Sequence, residues 1–176
     1  MDGIQLQSVN EAMEPWGAQM SKIKFNNVYK FNLTGTFGFG NLTTEALVEI
    51  FKDGRVASHL LEPQLVTWFP ELKHIKGCKD HDHVNRDDEN IKYDAKNFTT
   101  ASGCKFMPSG MIGTGRKFDE KQFLFKTENM NYIICDIVDF PKVNVVFKKG
   151  QDLSIQYPNG CITKTKRQEL FGAEAA

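Results

Sequence analysis

The sequence predicts an α/β protein of the α+β type, with one central mixed β-sheet flanked by helices. A chain of 176 residues is long enough to fill a single core. Phenylalanine occurs 14 times, which favours sheet-containing structure over a helical bundle. The segment 132–138 is almost continuously apolar, as in a central strand covered on both faces. We expect one domain over residues 20–172, preceded by a flexible extension at 1–19 and followed by a tail at 173–176.

The first regular element is predicted at residues 28–33, where polar and apolar side chains alternate as in a half-buried strand. A glycine-rich run at 35–40 follows it. This run lacks the lysine and hydroxyl residue of a nucleotide-binding loop, so we interpret it as a turn.

Two helices are predicted next. Thr43 is suited to cap a helix that ends at the Lys-Asp-Gly sequence at 52–54. A second helix begins near Val56 and reaches Glu62, where Pro63 acts as a break or as a new first turn.

A β-hairpin is predicted at residues 80–99. Two β-capable runs, 80–84 and 91–99, flank a cluster of turn-forming residues at 85–90. Beyond the hairpin, three strands are predicted at 123–125, 132–138 and 143–147. A short edge strand is predicted at 154–157, and a terminal helical or irregular segment at 164–171.

The predicted hairpin aligns three charged residues. Asp82 lies roughly opposite Asp94, and the two-residue period of a strand places Lys96 on the same face as Asp94. Two carboxylates and an ammonium on one patch can hold a divalent cation and position a water against a phosphate. A register shift of two residues would make Asp80 the first acid instead.

An acid followed, after a hairpin-length gap, by Asp-x-Lys resembles the PD-(D/E)xK nuclease superfamily, which includes many restriction endonucleases. The matching residues are Asp82, Asp94 and Lys96, and His81 stands where that family has proline. Helical sequence before the hairpin and apolar strands after it follow the order of the family. The resemblance implies a restriction-endonuclease-like fold for 20–172 and metal-dependent hydrolysis of DNA, in the manner of a type II restriction endonuclease.

The resemblance also implies a role for each matching residue. Asp82 and Asp94 would bind Mg²⁺, or Mn²⁺ in its place, with the Ala95 carbonyl as a third ligand. Lys96 would orient or help deprotonate the attacking water. Enzymes of this family often supply another acid from a helix beside the hairpin, and Glu62, flanked by apolar residues, is the first candidate.

The segment 99–117 is the predicted contact with double-stranded DNA. It contains no acid and is rich in small and hydroxyl residues, which permit close approach to phosphate. We expect contacts from Lys105, Ser109, Arg116 and Lys117. The net charge is zero, so any basic surface must be local. Two-fold symmetric cleavage would imply a homodimer.

The Asp-His-Asp-His sequence at 80–83 supports rival interpretations. It resembles the motif of zinc-stapled HNH endonucleases, in which a histidine is the general base, although the paired cysteines of those proteins are missing here. A structural zinc site would instead combine Cys78, His81, His83 and Cys104. In a third interpretation the hairpin acids are solvated and the chain is a non-catalytic nucleic-acid-binding domain.

The cellular setting is predicted from cysteines and hydropathy. The four cysteines are widely spread without a Cys-x-x-Cys pair, which indicates reduced thiols in a cytoplasmic protein. No run is long and apolar enough to span a membrane, and the first residues lack the pattern of a secretory signal. We therefore expect no membrane partner.

Overall fold

The computed structural model describes residues 6–8, 23–34, 39–77 and 80–172. The strands, in chain order, are β1 (Leu6–Ser8), β2 (Val28–Leu33), β3 (Leu72–His74), β4 (His83–Asn85), β5 (Lys92–Phe98), β6 (Cys104–Lys105), β7 (Asn131–Asp136), β8 (Lys142–Lys149) and β9 (Cys161–Ile162). The α-helices are α1 (Thr44–Phe51), α2 (Gly54–Trp68), α3 (Glu120–Glu128), α4 (Gly150–Gln156) and α5 (Arg167–Phe171).

A mixed sheet of six strands forms the centre, in the order β2-β8-β7-β5-β4-β3, and the short β1 extends it at the β2 edge. All neighbours are antiparallel except β5 and β7, which run parallel. A parallel pair needs a long crossover, and here the crossover contains α3. The predicted α+β class and the central mixed sheet flanked by helices are therefore confirmed.

The core consists of two apolar layers, one on each face of the sheet. Helices α1 and α2 cover one face, and α3, α4 and α5 cover the other. On β7, Tyr132 and Ile134 enter the second layer while Ile133 and Cys135 enter the first. All four are buried, as the apolar run predicts for a central strand.

Capping side chains fix the start of α1 and α2. The Thr43 hydroxyl accepts a hydrogen bond from the Ala46 amide at 3.1 Å, as the sequence predicts. The Asp53 carboxylate accepts one from the Arg55 amide at 2.9 Å. Pro63 does not break α2, because its ring lies on the exposed side while the flanking turns are fixed to the sheet by buried Leu61 and Leu65.

Two strand predictions are wrong. Residues 123–125 lie in α3, where Phe123 is fully buried and Phe125 is 71% exposed. Residues 154–156 lie in the last turn of α4, where Ile155 is 82% exposed, and buried Tyr157 follows the helix. In both runs, short apolar stretches contain too few residues to distinguish a helical from a strand period.

The structure covers only part of the predicted terminal segments and three of the four cysteines. Residues 6–8 of the predicted extension pair antiparallel with β2, whereas the rest of 1–19, the tail 173–176, residues 35–38 and Cys78 lie outside the described residues. The three described cysteines, at 104, 135 and 161, are free thiols. No helix in the described parts of the chain combines the length and apolar character needed to cross a bilayer.

Gly150 joins β8 to α4 where the backbone passes very close to the end of α3. A Cβ atom at this position would lie 2.2 Å from the Thr127 carbonyl oxygen and 2.4 Å from that of Met130. Both contacts are with backbone, so neither can be relieved by a side-chain rotation. Glycine is thus required for α4 to pack against α3.

We expect Gly150→Ala to lower the free energy of unfolding by about 1–3 kcal/mol, because the added methyl group forces backbone to move. Chemical denaturation checks this value. Gly110→Ala is the matched control, since no atom lies within 4 Å of the added Cβ there. Equal stability of the two variants would contradict the packing argument.

Candidate active site

The hairpin of β4 and β5 forms within the predicted range, but its first strand begins at His83 rather than at Asp80. His83 pairs with Tyr93 and Val84 with Lys92. The ladder ends at His83, and Asp82 lies just before β4. Asp82 contacts β5 through two hydrogen bonds: its amide donates to the Tyr93 carbonyl at 3.0 Å, and its carboxylate accepts from the Ala95 amide at 2.9 Å. Asp82 is therefore close to Asp94, whose charge helps to raise the pKa of Asp82, whereas Asp80 is exposed.

Strand β4 is short, which leaves part of β5 open. Among the described strands, none continues the ladder on that edge beyond Tyr93. The Asp82 carboxylate takes the place of a strand there, because its Oδ2 accepts a hydrogen bond from the Ala95 amide at 2.9 Å. The N–H and C=O of one strand residue point to the same edge, so the Ala95 carbonyl faces this edge as well.

Asp94 is the most deeply enclosed acid of the hairpin, with 3% of its surface exposed. Its Oδ1 lies 2.8 Å from the Lys96 ammonium, two residues along the strand. Its Oδ2 accepts a hydrogen bond from the Lys126 ammonium on α3 at 2.6 Å. Each carboxylate oxygen therefore has a cationic partner, which compensates for its removal from water.

The electrostatics of the two acids differ. Burial and the neighbouring Asp94 carboxylate raise the pKa of Asp82 to about 6. Burial opposes the ionised form of Asp94 as well, but the ammonium groups of Lys96 and Lys126 lower the pKa of Asp94 below its usual value. Although burial disfavours the charged form of Lys96, its contact with Asp94 raises the pKa of Lys96. The cluster thus holds one firmly ionised acid beside one that is easily protonated.

Glu62 approaches the cluster from α2, on the opposite face of the sheet. Its Oε2 lies 3.3 Å from His74 Nε2, and its side chain is 28% exposed. Its charge is the smallest of the influences that raise the pKa of Asp82. Glu62 therefore influences Asp82 through its charge, but its direct partner is a histidine.

The histidine-based interpretations find little support in the geometry. His83 is fully buried with Nε2 2.8 Å from the Glu62 carbonyl oxygen, and burial lowers its pKa to about 4. Cys104 is also fully buried, and burial raises the pKa of its thiol to about 12. Within the described ranges, no group of three or more His, Cys, Asp or Glu side chains is arranged to hold a metal.

Two clefts reach the cluster from different sides. The first, which we call the α2 cleft, measures about 430 Å³ and lies between the start of α2 and the β5–β6 connection. Its cationic lining residues are Lys52, Arg55, Lys96 and Lys105. The second, the α3 cleft, measures about 460 Å³. Its lining includes Asp80, Lys92, Ser109, Gln122, Phe125 and Lys126.

The predicted nucleic-acid contacts are divided between the clefts. Lys105 lines the α2 cleft and Ser109 lines the α3 cleft. Arg116 donates a hydrogen bond from Nη1 to the Ser109 carbonyl at 2.6 Å, so it holds the 3-10 turn at Ser109–Met111. Lys117 is exposed and lines neither cleft.

Three cations of the site were missed by the sequence analysis. Lys126 follows the run 123–125, for which the sequence predicts a strand. In the helix that forms instead, Lys126 lies on the same side as buried Phe123, three residues earlier. Lys52 and Arg55 flank the helix boundary at Asp53. The sequence at the junction of two helices does not indicate that a cleft forms beside it.

Comparison with known proteins gives no match: no family model, curated protein or solved structure aligns significantly with the chain.

We expect a carbon-detected NMR titration to give Asp82 a pKa of about 6. Folding raises this pKa, so the folded protein binds the proton more tightly than the unfolded chain. The stability that Asp82 contributes is full below about pH 4 and is lost as the pH rises to about 6.

Asp94→Asn should lower the pKa of Asp82, because it removes a neighbouring negative charge and releases two ammonium groups. Asp80→Asn, at an exposed position two residues before Asp82, is the control and should leave the titration unchanged. An Asp82 pKa near 4 in the wild type would contradict the burial and proximity described here.

Proposed function

We propose that the protein is a Mg²⁺-dependent endonuclease that hydrolyses DNA phosphodiester bonds. The observation that carries the proposal is the buried Asp94–Lys96 ion pair, with the Asp82 carboxylate held beside it by the Ala95 amide. An acid, a second acid and a lysine from one hairpin are the side chains that the PD-(D/E)xK resemblance requires. Their convergence does not follow from spacing alone, since a register shift of one residue would have separated them.

The order of the elements supports a restriction-endonuclease-like fold. Helix α2 precedes the hairpin, and the buried strands β7 and β8 follow it. This is the order expected from the resemblance. We therefore propose that the mixed sheet and its two helical layers are a member of that fold.

The donors available at the hairpin fit Mg²⁺. Asp82, Asp94 and the Ala95 carbonyl are hard oxygen donors at one strand edge. Magnesium is commonly bound by one or two carboxylates and the substrate phosphates, so a larger protein cage is not required. The raised pKa of Asp82 also fits, because two neighbouring carboxylates repel each other until a cation lies between them. Bound Mg²⁺ would lower the pKa of a water ligand and offset phosphate charge.

Lys96 acts in this proposal as a cation and not as a base. Its ammonium is bound to Asp94 and its pKa is raised, so it keeps its proton at neutral pH. It lines the α2 cleft, where a phosphate can approach it. From there it would orient the attacking water by hydrogen bonding and stabilise the negative charge that develops on the phosphate.

The α2 cleft is the proposed position of the DNA backbone. Its lining contains the cations Lys52, Arg55, Lys96 and Lys105. The first three are ion-paired with Glu49, Asp53 and Asp94 respectively, so a phosphate would compete with or bridge to these acids. Lysine and arginine bind phosphate with little regard to base sequence, which fixes a duplex in place without specifying a site. A neutral protein can therefore bind DNA through one local basic surface.

We expect Lys96→Ala to reduce Mg²⁺-dependent cleavage of plasmid DNA by at least about a hundredfold, because the charge that stabilises the reacting phosphate is removed. Duplex binding should be largely retained. Gel assays of plasmid cleavage with Mg²⁺ and with EDTA, and of duplex binding, compare the wild type with the variant.

Lys121→Ala, at an exposed position on α3, serves as the control and should cleave like the wild type. Unchanged cleavage by Lys96→Ala would refute the assignment. Duplex binding without any cleavage by the wild type would favour a non-catalytic nucleic-acid-binding domain.

We expect Lys105→Ala to weaken duplex binding and to lower the slope of log affinity against log salt by about one, as the loss of one phosphate contact does. Fluorescence anisotropy over a salt series measures both quantities. Lys142→Ala is the control, because Lys142 is exposed and lines neither cleft. Identical slopes for the two variants would remove Lys105 from the DNA interface.

A further inference from the structure

Lys126 is placed in the cluster by a different element from the hairpin. It comes from α3, 32 residues after Asp94, and its ammonium reaches Asp94 Oδ2 at 2.6 Å. The side chain is 18% exposed and also lines the α3 cleft. It therefore contacts the buried acid at one side and an open cleft at the other.

Both carboxylate oxygens of Asp94 contact an ammonium group. Lys96 occupies Oδ1 and Lys126 occupies Oδ2. A divalent cation that binds Asp94 brings a third positive group beside the two ammonium groups, and the repulsion among them favours the release of one ammonium group. Lys96 belongs to the same strand and has the Asp82 charge as an additional attraction. Lys126, carried by a helix beside a cleft, is the group more readily displaced.

We propose that Lys126 is a phosphate-binding residue of the site, which holds Asp94 Oδ2 in the free protein and is released to a nucleic-acid phosphate when a divalent cation binds Asp94. The inference rests on the proposed nuclease function. It adds a second substrate contact from α3 and links metal binding to nucleic-acid binding.

The exchange leaves neither Asp94 nor Lys126 without a partner of opposite charge. In the free protein, Asp94 binds two ammonium groups. In the complex, Asp94 binds one ammonium group and the metal, while Lys126 binds a phosphate oxygen from the α3 cleft. Metal and nucleic acid should thus each strengthen binding of the other, by the same factor.

The first test measures Mn²⁺ affinity by calorimetry without nucleic acid. Lys126→Met removes the competing ammonium, so we expect Mn²⁺ to bind about tenfold or more tightly than in the wild type, the scale of one charged hydrogen bond. Lys126→Gln, which retains a donor without the charge, should show the same direction and guards against a folding defect in the methionine variant. Lys121→Met on the same helix should match the wild type.

The second test measures the affinity of the protein for a DNA duplex by fluorescence anisotropy, with and without Ca²⁺. Ca²⁺ takes the place of Mg²⁺ so that the duplex is not cleaved during the measurement. Ca²⁺ should strengthen duplex binding in the wild type, and the factor should be about tenfold larger than in Lys126→Met. This comparison separates the proposal from a purely structural role, which would not change the coupling between the two ligands.

Each outcome decides between the proposals. Tighter Mn²⁺ binding together with weaker coupling supports the inference. Unchanged or weaker Mn²⁺ binding by both Lys126 variants overturns it, and wild-type cleavage in Mg²⁺ would then leave the nuclease assignment standing. Absence of Mn²⁺ binding, duplex binding and cleavage in the wild type overturns both.

Discussion

The burial of the Asp94 carboxylate is the constraint on which the rest of the site depends. A carboxylate removed from water and left without partners would cost several kcal/mol, and loss of one partner from a buried pair typically costs about 3–5 kcal/mol. Lys96 and Lys126 meet this requirement from a strand and a helix. The position of α3 against β5 is thus fixed by charge as well as by the apolar contacts of Phe123. A fold with this charge arrangement has little freedom to shift α3 without exposing or isolating the acid.

The short length of β4 is the second determinant of the site. A longer partner strand would cover the edge of β5 beyond Tyr93 and fill the space that the α2 cleft occupies. Instead, Asp82 satisfies the Ala95 amide with a side chain, and the edge remains open to a ligand. Edge strands normally need protection from pairing with other chains, and here the charged lining of the cleft provides it. The same feature therefore gives access to the site and limits unwanted association.

Patterns within single elements could be predicted from the sequence, whereas contacts between distant elements could not. The hairpin of β4 and β5 followed from turn chemistry and β-capable runs, and the strand at 131–136 followed from its apolar run. Helix α3 was assigned to a strand because three apolar residues fit either period, and this error concealed Lys126. The pairing of Glu62 with His74 depends on β3, which has only three residues and no distinct pattern in the sequence. Lys52 and Arg55 line the site through tertiary packing alone.

The parallel pairing of β5 with β7 has a consequence for the order in which the molecule assembles. The β4–β5 hairpin joins residues close in sequence and can form early, whereas the β5–β7 ladder must wait for a long loop to close. Until then Asp94 has Lys96 beside it but lacks the ammonium from α3. The buried cluster is therefore complete only once the crossover that contains α3 has docked on β5.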